Sequence, residues 1–248
     1  MKSYKRFIGD LQIKSFCKKY DIKNYTINED GSIDVDGDVY LDGEKLTNIP
    51  LKFRNVTGHF WVYTNQLTSL QGCPESVGGN FNCYNNQLTS LEGSPKNVGG
   101  YFDCSNNKLT SLKGSPQSIG GDFDCSNNKL TSLKGGPENV GGNFNCSRNK
   151  LTSLQGCPEI IGESFYCRNN QITDFKGISE FFEDDFYCGE NPIHEIYKLF
   201  NTSKCIKWIN EYDVIQGNKV IMDRLEEVFH QLGIDIPQNI VLDKYEII

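Results

Sequence analysis

Apolar residues recur through the middle of the chain at a fixed step of twenty-one positions, Phe60 to Phe81 for instance, and they do so in five columns. One column holds Leu46, Leu67, Leu88, Leu109, Leu130, Leu151, Ile172 and Ile193, and a second stands three residues later, from Ile49 through Leu70 to Ile196. Phe60, Phe81, Phe102, Phe123, Phe144, Phe165 and Phe186 form the third. The fourth runs from Leu41 and Val62 through Cys83, Cys104, Cys125, Cys146, Cys167 and Cys188, and the fifth from Val56 through Val77 and Val98 to Phe182. A single turn cannot bury five apolar positions, whereas stacked turns share one continuous core, so the pattern predicts a solenoid. Each F-x-C places one variable residue between two apolar ones, the period of a strand, and should add a strand to a parallel sheet.

The flanks read differently. Near the start, Phe7, Leu11, Ile13, Phe16, Cys17 and Tyr20 are spaced for a helix, with Lys2, Lys5, Arg6, Lys14, Lys18 and Lys19 as its solvated face. From Tyr25 the sequence alternates through Ile33, Val35, Val39 and Leu41 with turn signals at Asp30-Gly31 and Asp36-Gly37, which is strand material. After Asn191-Pro192 the period stops. HEIYKLF, CIKWINEYDVI and NKVIMDRLEEVFHQLGI then read as amphipathic helices that cover the last turn. The expected organisation is an N-terminal helical and β cap over 1–36, the solenoid over 37–196 and a C-terminal α-helical cap over 197–248.

The fixed polar positions are explained by backbone chemistry. Asn65, Asn86, Asn107, Asn128, Asn149, Asn170 and Asn191 should stack as a ladder whose amides pair with main-chain groups of neighbouring turns. The glycine pairs at 78–79, 99–100, 120–121 and 141–142 suggest a tight bend before each strand. Pro74, Pro95, Pro116, Pro137 and Pro158 favour a return arm that is extended or one turn of 3₁₀. The motif G-x-x-F-x-C-x-x-N-x-L, from about Gly37 to Ile196, resembles the leucine-rich repeat signature, with Gly, Phe and Cys in place of three apolar positions. That resemblance implies an α/β-type repeat solenoid: a parallel β-sheet on a concave face, a mostly irregular or 3₁₀ convex side, and helical caps. The wording GGxFxCxxNxLTSLxGxP is similar to short-repeat leucine-rich proteins of large tailed bacteriophages and their hosts, which implies a binding role without naming a partner.

Composition narrows the chemistry. A net charge of -7 argues against a general grip on nucleic acid. The basic N-terminus lacks an apolar run, so neither a signal peptide nor a membrane anchor is expected, and the protein reads as soluble and cytoplasmic, or host-cytoplasmic if of phage origin. Ten cysteines without a CxxC pair read as small buried hydrophobes rather than metal ligands. The DGSIDVDGD run lacks the ligand spacing and flanking helices of a calcium loop. Three histidines, no G-x-S-x-G and no Walker loop point to a protein that is not an enzyme and needs no cofactor or metal.

Binding has a better-defined address. If Phe and Cys point inward, the residues beside and between them point outward, and these are the positions that vary between turns. Tyr40, His59, Trp61, Tyr63, Tyr84 and Tyr101 cluster at one end of that face, Tyr166, Arg168 and Tyr187 at the other, with a polar, acidic middle. Exposed Trp, Tyr and Arg dominate interface energetics, so a protein partner on the concave face is the leading expectation. A glycan or small-molecule binder, or a structural component of a particle or oligomer, are the alternatives. Lys108, Lys129 and Lys150 read as a solubilising edge.

Overall fold

The F-x-C segments form short parallel strands in the computed structural model of the protein, which describes residues 2–179 and 181–248. With their two upstream counterparts, Val39–Tyr40 and Phe60–Trp61, they make eight strands up to Phe186–Tyr187, paired in sequence order with Phe beside Phe in each register after the first. The phenyl rings of successive turns lie with centroids 4.9 to 5.9 Å apart and are almost wholly buried. A burial step of this kind stabilises by about 2 to 3 kcal/mol per phenylalanine side chain. We refer to this array as the Phe–Cys sheet.

A second parallel sheet lines the opposite side of the turns. Its members include Phe53–Val56, Ser76–Val77, Asn97–Val98, Ser118–Ile119, Asn139–Val140 and Ile160–Ile161. The return arm is therefore neither irregular nor 3₁₀ along this stretch. It is extended and hydrogen-bonded, because the fifth-column positions from Val56 to Ile161 carry β-branched residues that suit a pleated surface and each proline stands upstream of the paired residues. Val35, twenty-one positions before Val56, already belongs to this sheet, and Tyr25–Ile27 adds an antiparallel edge strand. The molecule is thus a parallel β-solenoid of two sheets with a shared core.

The asparagine ladder forms as its residue type dictates. Asn128 Oδ1 accepts the Leu109 N–H at 2.9 Å, and its Nδ2 donates to the carbonyls of Cys104, Cys125 and Ser126, each at 3.1 Å. Asn65 through Asn191 repeat the arrangement. The preceding residue, Asn127 in this turn, takes a left-handed φ of 52°, which asparagine tolerates.

The paired glycines have a different cause from the expected bend. Neither Gly120 nor Gly121 has a positive φ; instead a Cβ on Gly120 would collide with the Gly99 carbonyl oxygen, and one on Gly141 with that of Gly120. They are needed because successive turns approach backbone to backbone.

Helix α1 (Lys2–Lys19) buries Ile13 and Cys17, while Leu11 is exposed. The side chains of Lys2, Lys5, Arg6 and Phe7 lie outside the described residues. Downstream, α2 (His194–Phe200), α3 (Lys204–Glu211) and α4 (Met222–Leu232) pack with the three strands Ile215–Gln216, Lys219–Val220 and Glu246–Ile247. CIKWINEYDVI is thus part helix and part strand, and Glu246–Ile247 adds a strand near the end of the chain. Tyr245 donates its hydroxyl proton to the Thr173 carbonyl at 2.6 Å, and Asn210 Nδ2 donates to that of Phe175 at 3.2 Å, which ties this region to the last turns. No helix among the described residues is long and apolar enough to cross a membrane.

Candidate functional site

The outward positions of the Phe–Cys sheet form three columns, and the structure separates their duties. In the column before Phe, side-chain acceptors bind the backbone N–H of the next turn: Asp38 that of His59 at 2.7 Å, His59 Nδ1 that of Asn80 at 2.9 Å, Asn80 that of Tyr101 at 3.0 Å, and Asp122 that of Asn143 at 2.7 Å. His59 is therefore placed as a rung of this ladder, with Nδ1 unprotonated. Tyr101 interrupts the ladder, and its hydroxyl instead receives Asn82 Nδ2 at 3.4 Å.

The middle column divides by residue type. Asn82, Asp103, Asp124 and Asn145 each fold back on their own turn, accepting the N–H two residues on at 2.8 to 3.1 Å. Asp103 and Asp124 are register partners, and burial with the neighbouring carboxylate raises the Asp103 pKa above the ordinary carboxylate range. At Tyr40, Trp61, Tyr166 and Tyr187 an aromatic ring replaces that short acceptor.

Those rings gather into two groups. In the first, Tyr40 meets Trp61 edge-on at 4.9 Å, and His59 and Tyr63 flank the indole at 5.8 and 5.9 Å. The Tyr40 hydroxyl donates to Asp38 at 2.8 Å, a bond that raises the phenol pKa, and the neighbouring Asp42 carboxylate raises that of Tyr63. Trp61 Nε1 is buried without an acceptor among the described residues. Tyr40 and Tyr84 remain 45% and 38% exposed, large values for aromatic rings on a sheet. Tyr84 and Tyr101 make no ring contact with this cluster among the described residues.

In the second group Tyr166 and Tyr187 stack at 4.6 Å with an 8° interplanar angle, and the Arg168 guanidinium lies 4.9 Å from the Tyr187 ring centre. Beside them opens a cavity of about 620 Å³ that Gly189, Glu190, His194 and Tyr197 also line. Burial, with Lys198 nearby, holds the His194 pKa below its usual value, and burial pushes Tyr197 up to about 12. No protein-family model, curated protein or solved structure matches the sequence.

The core thiols offer little reactivity. Burial pushes Cys83, Cys104, Cys125, Cys146 and Cys167 well above the normal thiol pKa and Cys188 up to about 12, which disfavours the thiolate. All ten cysteines are free. Among the described residues no group of His, Cys, Asp and Glu side chains is placed to hold a metal ion.

His194 and Tyr197 were not among the sequence-based candidates. They sit on α2, where His194 takes the place that threonine holds in the earlier turns and Tyr197 follows the last column residue, Ile196. The signal that could have found them is Gly189, which breaks a column occupied by larger residues in every earlier turn from Tyr63 to Arg168.

Proposed function

We propose that this protein is a non-enzymatic protein-interaction module, of leucine-rich-repeat type, that binds a protein partner across the exposed face of the Phe–Cys sheet. The anchors are Trp61, Tyr63 and Tyr84 at one end and Tyr166, Arg168 and Tyr187 at the other. One observation carries the reading: the middle column satisfies its own backbone with Asn or Asp in the central turns, yet gives up that bond for aromatic rings at both ends. The fold works with the short acceptor, so the rings serve something other than the turn. Trp, Tyr and Arg are the side chains that concentrate binding energy at interfaces. Following the phage resemblance, the partner is a host or defence protein met in the host cytoplasm.

Affinity capture from a bacterial lysate, followed by identification of the retained proteins, tests this. A doubly substituted protein, Trp61→Ala with Tyr63→Ala, should keep its fold and lose the specific partner. Retention of every captured protein by that variant would defeat the surface assignment. A glycan would be revealed instead by a rise in melting temperature in a carbohydrate screen.

A further inference from the structure

Most glycines of the solenoid are explained by their backbones, but Gly189 is not. Its φ is not positive, and a Cβ built there would meet nothing nearer than Arg168 Cγ at 3.9 Å, an ordinary contact. The corresponding position carries tyrosine, serine or arginine in the earlier turns from Tyr63 onward, so the fold accepts a side chain there. Its absence leaves room in the cavity of about 620 Å³ that α2 closes from the far side.

Arg168 borders that cavity in an unusual state. The Arg168 side chain is exposed, and its guanidinium carbon lies 4.9 Å from the centre of the Tyr187 ring, which is itself stacked on Tyr166, so a cation–π contact holds the charged head at the mouth of the recess. Its N–H groups are left over. Among the described residues Arg168 makes no ion pair, and none of its side-chain N–H groups donates to an acceptor. Asp185 lines the same cavity, where it accepts the Tyr187 hydroxyl proton at 2.9 Å and makes no ion pair with Arg168. A cation held beside an open recess, with unused donors, is arranged for an anion, and the fork of a guanidinium matches the two oxygens of a carboxylate.

We propose that the cavity at Arg168 and Gly189 is a carboxylate-binding pocket, in which Arg168 takes one carboxylate of the partner in a bidentate pair. This rests on reading the Phe–Cys face as a protein-binding surface. Asp185 and Glu190 on the same wall set the charge limit: their negative field opposes a phosphate dianion more strongly than a singly charged carboxylate. The carboxylate comes either from an Asp or Glu side chain or from the partner's terminal α-carboxylate.

The test is a titration of the full-length ¹⁵N-labelled protein followed at the Arg168 Nε–H signal. One probe is a short glycine peptide capped at both ends with a single internal aspartate; the other is a glycine peptide with a free α-carboxylate at its end. At least one should shift the signal once the peptide reaches tens of millimolar, and the one that binds tighter identifies the source. Followed at the backbone amide of Glu190, a cavity-lining reporter that both variants keep, Arg168→Gln and Gly189→Leu should each weaken the tighter peptide by about tenfold or more without lowering the melting temperature appreciably, since the first removes the donor and the second fills the recess. An unmoved Arg168 signal with both peptides overturns the pocket, as does unchanged affinity in the two variants. Because this readout needs no natural partner, it is separable from the capture experiment: loss of the partner assignment would leave the Arg168 titration standing, and a silent Arg168 would leave the Trp61 and Tyr63 result standing.

Discussion

The central turns and the end turns of the same outward column use the same backbone differently. From Asn82 to Asn145 the side chains are short acceptors that complete the turn after each strand, so this part of the face is scaffold to its surface. At Trp61 and Tyr166 the acceptor has been exchanged for a ring that stacks on its neighbours and offers apolar area outward. Variation within a repeat thus has two meanings. Changes between Asn and Asp keep a structural bond, and changes to an aromatic abandon it.

The largest test of this contrast lies beneath the central turns. Asn128→Ala removes one acceptor and donors to three carbonyls in a buried ladder, leaving the Leu109 N–H unpaired. It should cost about 3 kcal/mol, read as a lowered urea midpoint, whichever partner is present.

A smaller effect, of opposite sign, is expected at Asp103. Its folded-state pKa is raised, so folding favours the protonated form and the wild type gains stability as pH falls through the folded pKa toward the unfolded value of about 3.9. Asp103→Asn keeps an acceptor for the Ser105 N–H while removing the charge facing Asp124. At pH 7 it should stabilise by about 0.5 kcal/mol, and the advantage should vanish by about pH 4 in parallel urea titrations.

The smallest stability effect should come from the ends. Trp61→Asn and Tyr166→Asn install the acceptor that the central turns use, so each should stay within about 0.5 kcal/mol of wild type while partner capture falls. A loss of several kcal/mol at either position would show that the rings are part of the scaffold and would erase the contrast.

Much of the scaffold was legible beforehand because stacking turns must repeat whatever they bury: Phe123, Cys125, Asn128, Leu130 and Leu133 recur because each faces its own copy one turn away. The second sheet was harder to read, since the two paired residues per turn, such as Ser118 and Ile119, show no alternation long enough to mark a strand. His59 looked like part of an aromatic cluster, and its Nδ1 bond to the next turn exists only once the turns are stacked.

What the sequence determined by itself is the period, the inward columns and the asparagine ladder, because these follow from one residue repeated at one step. Tertiary structure decided the rest. Whether Gly120 bends the backbone or admits its neighbour depends on how closely the turns approach, and the recess at Gly189 exists because α2, which leaves the repeat after Ile196, folds back beside Arg168. Contacts between an aperiodic segment and a periodic one carry no register, so only the assembled molecule can show them.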